Sequence, residues 1–275
     1  MLTFIWLNGY FYKQRTLKEE FHKCMPLLET CLLLHFAMMV LRDGFSIKGI
    51  FSFGNEPSWY LFSLIFWRML SSYWFDKCGV KRIFMFSIIL EIVTFVCIPK
   101  YGGFLSIMRT IQYYPFFLAG YLMKDKLILI KSHKYSVSVL GILSMIVIVL
   151  TSNRLQHLVL FQRDGLLELT TNANDMGYLL TFVYRYAIIT CSILVSAFVL
   201  LLSCYNIIIN NIAYLGRGTL FIYFGQTILY PFANRFFPEL ISSLLASFVA
   251  VVILSYFSMK PISKYFMNPI TVYLT

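Results

Sequence analysis

Charge is what this sequence has least of. Only 13% of its 275 residues are Asp, Glu, Lys or Arg, whereas 59% are hydrophobic and the mean hydropathy is +0.75. Soluble domains carry about 25% charged residues, so the composition excludes an ordinary water-exposed domain and indicates a polytopic membrane protein. Acidic residues are the scarcer sign, 12 against 23 basic. The net charge of +11 does not point to nucleic acid, because the basic residues are scattered between apolar runs. An excess of Lys and Arg on cytoplasmic connections explains them better.

Further absences narrow the classes. The six cysteines (Cys24, Cys31, Cys78, Cys97, Cys191, Cys204) lie in apolar runs or short basic connections, with no CxxC spacing. Neither disulfides nor a zinc site is supported, and no metal is expected. The histidines His22, His35, His133 and His157 are dispersed, with no HxxxH. There is no G-x-x-x-x-G-K-[ST] nucleotide loop, no G-x-S-x-G elbow and no inverted pair of Gly/Pro-broken helices of the transporter kind. The first apolar run lacks the basic start and small-residue cleavage site of a signal peptide. No repeat and no Gly/Ser or Pro-rich linker divides the chain, so residues 1–275 read as a single all-α membrane domain.

What is present is a series of apolar runs. Met1–Tyr12 reaches only ~18 Å as a helix, short of the ~30 Å hydrocarbon core. After the basic connection KQRTLKEEFHK come candidate spans at about Cys24–Leu41, Pro57–Trp74, Arg82–Ile98, Gly103–Met123, Lys134–Thr151, Tyr178–Leu202, Thr219–Ala233 and Leu240–Ser258. This makes a helical bundle of about eight full spans plus a short N-terminal segment. Alternate connections beginning with KQRTLKEEFHK hold 14 of the 23 Lys and Arg residues, the other set holds 6, and three arginines lie inside spans. The KQR connection, DKCGVKR, KDKLILIKSHK and the C-terminus are therefore expected in the cytoplasm, and Ser152–Gly177 outside.

Polar residues inside the spans mark the functional interior, since charge in lipid is costly. Arg109, Gln112, Tyr113, Phe116 and Gly120 share one helix face, with Pro115 loosening the backbone and Gly120 admitting another helix. Arg109 and Arg185 are expected about two turns from the outer face, Arg68, His35 and Glu91 near mid-depth, and Glu29 nearer the cytoplasm. Arg68 has two readings, a structural partner for Glu91 or a ligand contact. Glu29 is expected to reach the inner surface, and His35 to be a satisfied interior histidine. Trp59 and Tyr60 fit an aromatic belt. Lys124, Lys126, Lys131 and Lys134 fix topology and, with Arg15 and Lys18, offer charge to the phosphates of a donor such as coenzyme A.

Four stretches in order, FIWLNGYFYK (Phe4–Lys13), PSWYLFSLIFWRML (Pro57–Leu70), RTIQYYPFFLAGYLMK (Arg109–Lys124) and LGRGTLFIYFGQ (Leu215–Gln226), resemble the acyltransferase-3 family of membrane O-acyltransferases, especially its fucose 4-O-acetylase-like branch. The resemblance implies a bundle of roughly ten helices in the bacterial cytoplasmic membrane. Such a bundle moves an acyl group, usually acetyl, from acyl-CoA to a hydroxyl of a cell-envelope or exported glycan. It implies no bound cofactor, and acyl-CoA as donor substrate. Arg68, Arg109 and Arg217 fall on family-patterned arginines, and Trp59, Gly120 and Tyr223 on its packing positions. With Gln112, Tyr113 and Arg185, those arginines form the expected substrate and donor contacts. The family's first helix, with a basic residue and a histidine acid/base, has no counterpart here, which implies an N-terminally shortened member. Gln226 stands where the family often has histidine. The proton acceptor that hydroxyl attack requires would fall to His35 or Glu29. The competing readings are a polysaccharide export or polymerisation protein and a non-catalytic membrane partner.

Overall fold

A computed structural model describes residues 2–39, 58–97, 106–155 and 178–203, with the isolated helical positions Val249, Ile253 and Tyr256. Every regular element among them is helical. In chain order they are α1 (Leu2–Phe11), α2 (Leu17–Met38), α3 (Ser58–Cys78), α4 (Val80–Cys97), α5 (Ile107–Leu122), a single 3-10 turn (Lys124–Lys126), α6 (Leu127–Ser132), α7 (Lys134–Leu155) and α8 (Tyr178–Ser203). The expected spans at Thr219–Ala233 and Leu240–Ser258 fall outside the described residues, those three positions excepted, as does Arg217.

The chain divides into two compact units, Met1–Glu20 with Ser63–Tyr205 and Phe21–Phe62 with Asn206–Thr275. In the first unit α1 packs on α5 and α8, α4 packs on α5, and α7 packs on α8. The α1–α5 contact is set by two glycines. A methyl group on Gly9 would lie 1.8 Å from the Phe117 carbonyl oxygen, and one on Gly120 would lie 1.9 Å from that of Trp6. Each glycine thus seats against the carbonyl three residues before the other, and the backbones touch as small residues permit. Both sides carry the pattern Leu-x-Gly-Tyr-x-x-Lys, at 7–13 and 118–124. The two helices run parallel, since Lys124 at the end of one donates to the Tyr12 carbonyl at the end of the other at 2.8 Å. The approach expected at Gly120 is therefore present, with α1 as its occupant.

Helix α5 holds α3 by hydrogen bonds. Ser63 Oγ and Thr110 Oγ1 lie 2.6 Å apart, the Trp67 indole donates to the Thr110 carbonyl at 2.7 Å, and Ser71 Oγ lies 3.1 Å from the Tyr114 hydroxyl. Pro115 has no N–H to donate, yet α5 continues through it to Leu122. The expected basic connection is shorter than the sequence suggests. Helix α2 already begins at Leu17, with Glu19 and Glu20 in its first turn, where acidic side chains complement the helix dipole.

One helix among the described residues is long and apolar enough to cross a membrane, over Leu179–Leu202 in α8, and α7 has a shorter apolar stretch at Lys134–Ile148. The others fall short for identifiable reasons. Helix α4 carries Lys81, Arg82 and Glu91 within 18 residues. Helix α5 has 16 residues, or ~24 Å. Yet the outer faces of these helices are apolar. On α4 the buried residues are Ser87, Glu91, Thr94 and Phe95, while Met85, Phe86, Ile89, Val93 and Val96 are exposed. On α7 Ser144 is buried, and Val139, Leu140, Leu143, Ile146 and Leu150 are exposed.

Candidate functional site

The first unit contains two polar centres. One surrounds a cavity of about 320 Å³ lined by Asn8, Phe11, Tyr12, Lys13, Arg15, Leu64 and Arg68. Its foundation is Glu20, which accepts from Arg68 Nε at 2.5 Å on one oxygen and from Arg15 Nη1 at 3.3 Å on the other. The Glu20 side chain is 0% exposed, whereas Arg15 and Arg68 are 23% and 20% exposed. One buried carboxylate therefore holds two guanidinium groups at the cavity wall. Tyr12, in the connection after α1, donates to the Arg68 carbonyl at 3.2 Å. Burial, reinforced by the Glu20 carboxylate and opposed by Arg68, pushes its phenol well above the ordinary value, so it remains a neutral donor. Ser72 donates to the Arg15 carbonyl at 2.7 Å, and Lys124 caps α1 at Tyr12.

One sequence expectation changes here. Arg68 does not pair with Glu91. Its partner is Glu20, a residue that reading the connection as unstructured conceals. Helical spacing offers the signal, because Glu20, Cys24, Cys31 and His35 are all buried along α2, at offsets of 4, 11 and 15 residues that trace one face.

The second centre joins α4 and α8. Arg185 donates through Nη2 to Glu91 Oε1 at 2.7 Å, and the Tyr186 hydroxyl donates to Glu91 Oε2 at 2.6 Å. The guanidinium stacks over Phe95, with Cζ 3.8 Å from the ring centroid. This centre is sealed, at 2% and 4% side-chain exposure for Arg185 and Glu91. Arg109, Gln112 and Tyr113 are buried on α5, and the Tyr113 hydroxyl lies within electrostatic reach of both Arg185 and Arg109. Arg109, Gln112 and Tyr113 are thus buried along α5, Arg185 is held by Glu91 between α4 and α8, and Arg68 lies apart in the other centre.

His35 and Glu29 belong to the second unit. His35 is buried, with the Phe36 ring 6.3 Å away. Glu29 is part-exposed, and its Oε2 is buried without a hydrogen-bond partner among the described residues. Trp59 and Tyr60 are also buried rather than displayed as a belt. Their rings meet edge to face, with centroids 6.2 Å apart, so in this helix aromatic packing takes precedence over interfacial exposure. Comparisons with protein-family models, curated proteins and solved structures give no match to this chain.

Proposed function

We propose that this chain is a multi-pass membrane acyltransferase that transfers an acyl group, usually acetyl, from acyl-CoA to a hydroxyl of a cell-envelope or exported glycan. The multi-pass reading is supported by the inverted burial of α4 and α7, which keep serine, threonine and glutamate inside and display apolar side chains outward. Water disfavours that arrangement and lipid permits it. With charge-rich connections on the cytoplasmic side, the cavity at Lys13, Arg15 and Arg68 faces the compartment that holds acyl-CoA.

The observation that carries the proposal is this cavity. Two part-exposed arginines anchored on a buried glutamate, with Lys13 beside them, suit the phosphates of the donor. The Arg109–Gln112–Tyr113–Arg185 region lies toward the opposite end of α5, about 12 residues or ~18 Å away, where an acceptor from outside would be met. Glu20 and Glu91 are each tied to arginine, which suits them to positioning rather than proton abstraction, and no general base is assigned in the first unit.

The test is transfer of radiolabelled acetyl from acetyl-CoA to envelope glycan in membranes containing the full chain. Arg68→Ala is expected to weaken acetyl-CoA binding at least about tenfold, the scale of a lost charge-assisted hydrogen bond. Binding to the folded variant at wild-type strength would remove the cavity from the donor site. No transfer by the wild-type chain to any glycan fraction would count against the activity itself.

A further inference from the structure

The connection between α5 and α7 keeps its charge at the surface. From Lys124 to Lys134 the chain holds four lysines against one aspartate. Lys126 and Lys131 are exposed and make no ion pair among the described residues. The ammonium groups of Lys124 and Lys134 lie 5.4 Å and 5.0 Å from the ring centroids of Tyr121 and Tyr135, contacts that steady a cation without neutralising it.

Helix α6, within this connection, is held by one side. Ile130 is 4% exposed and packs in a cluster with Trp6 of α1 and Leu200 and Leu201 of α8. Ile128, two positions earlier and so on the other side of the helix, is 80% exposed, and Tyr135 at the start of α7 is 78% exposed. The segment therefore sits where α5 stops, α7 starts and α8 nears its end at Ser203.

That position decides the partner. Helices α7 and α8 have 22 and 26 residues, enough to cross a bilayer, so in a membrane their shared end stands at the level of the headgroups. Water alone would leave Ile128 unburied, and neutral headgroups would leave the lysines without counter-charge. A surface with hydrocarbon below and phosphate above suits an apolar side chain flanked by ammonium groups, and anionic lipid adds the matching charge.

We infer that Lys124–Tyr135 is an interfacial segment that docks on anionic phospholipid of the adjoining leaflet. Ile128 and Tyr135 enter the acyl boundary, and Lys126 and Lys131 meet the headgroup phosphates. The inference rests on the multi-pass reading and not on acyl transfer.

The experiment places the full chain in nanodiscs of mixed phosphatidylcholine and phosphatidylglycerol, one or the other carrying a photo-crosslinking group. Mass spectrometry of the digested protein compares the segment 124–135 with the outer face of α7 at Leu143, Ile146 and Leu150. The ratio of phosphatidylglycerol to phosphatidylcholine labelling is expected to be at least about fivefold higher at the segment than at α7, the effect of one lysine near an anionic surface. Lys126→Gln/Lys131→Gln should bring it down to the α7 value, and Lys126→Arg/Lys131→Arg should keep it. Equal ratios in the wild type overturn the inference, as does a preference retained by the folded glutamine variant or lost by the folded arginine variant. Unfolding of the glutamine variant would make the lysines structural and overturn it too. Loss of the preference on adding acetyl-CoA would assign the lysines to a soluble phosphate ligand instead. Label on α7 with none on the segment defeats the lipid surface alone, whereas no label on α7 from either lipid defeats the multi-pass reading and this inference with it.

Discussion

Two arginine–carboxylate centres in the first unit share their chemistry and differ in their access to water. At the cavity, Glu20 is enclosed but its arginines are about one-fifth exposed; in the second centre, Arg185 and Glu91 are both sealed. Water and salt can replace part of what Glu20 offers its partners, and an incoming phosphate can do the same. Arg185, at 2% side-chain exposure, has no such exchange with bulk water. The open centre is therefore suited to exchanging partners, and the sealed one to holding a guanidinium at a fixed place and angle.

The largest effect should come from breaking the sealed pair. Glu91→Leu leaves Arg185 charged in an interior of low dielectric, and removing one partner of a buried pair typically costs about 3–5 kcal/mol. The double variant Glu91→Leu/Arg185→Met, which replaces both charges with apolar groups of similar size, should recover most of that loss. Unfolding curves of the purified protein in detergent measure both. A single variant no less stable than the double would show that the pair is not sealed in solution.

The residues show why some of this was legible in the sequence. The α5 face was, because Arg109, Gln112, Tyr113 and Gly120 obey one helical period within a single element, and period is a local property. The choice of partner was not. Glu91 lies 94 positions from Arg185, and depth estimated to a turn or so leaves Arg68 and Arg185 equally eligible. Glu20 was hidden for a different reason. Its neighbours Lys18, Glu19 and Lys23 mark a solvated connection, and only the start of α2 at Leu17, which extends the buried face of Cys24, Cys31 and His35 back to Glu20, reveals that this one carboxylate turns inward. The pairing of Gly9 with Gly120 is of the same kind, since each motif is visible alone while their contact is a tertiary fact.

A middle-sized effect is expected at the open centre. Glu20→Gln keeps the shape and removes the charge, and because both arginines retain contact with water the loss should be about 1–2 kcal/mol. It should also leave the Arg15 and Arg68 side chains less constrained, so acetyl-CoA binding weakens even though the cavity has become more positive. Unfolding curves and binding isotherms on one preparation check the two parts. Tighter binding would show Glu20 to be a competitor of the phosphates rather than a support for the arginines.

The smallest effects make the sharpest comparison, because they set burial against bond length. The Tyr186 hydroxyl meets Glu91 Oε2 at 2.6 Å in a part-buried site, while Gln14 Nε2 meets Asp76 Oδ1 at 2.5 Å where both are exposed. If length governed, removing the Gln14 contact would cost more. If burial governs, Tyr186→Phe should cost about 1 kcal/mol, the net worth of a hydrogen bond that water replaces poorly. Gln14→Ala should then stay within about 0.5 kcal/mol, as for other surface changes. Glu91 keeps Arg185 in the Tyr186 variant, so the measurement reports one bond and not the collapse of the pair. Paired unfolding curves decide it, and equal losses at the two positions would mean that water reaches the Glu91 carboxylate as freely as it reaches Asp76.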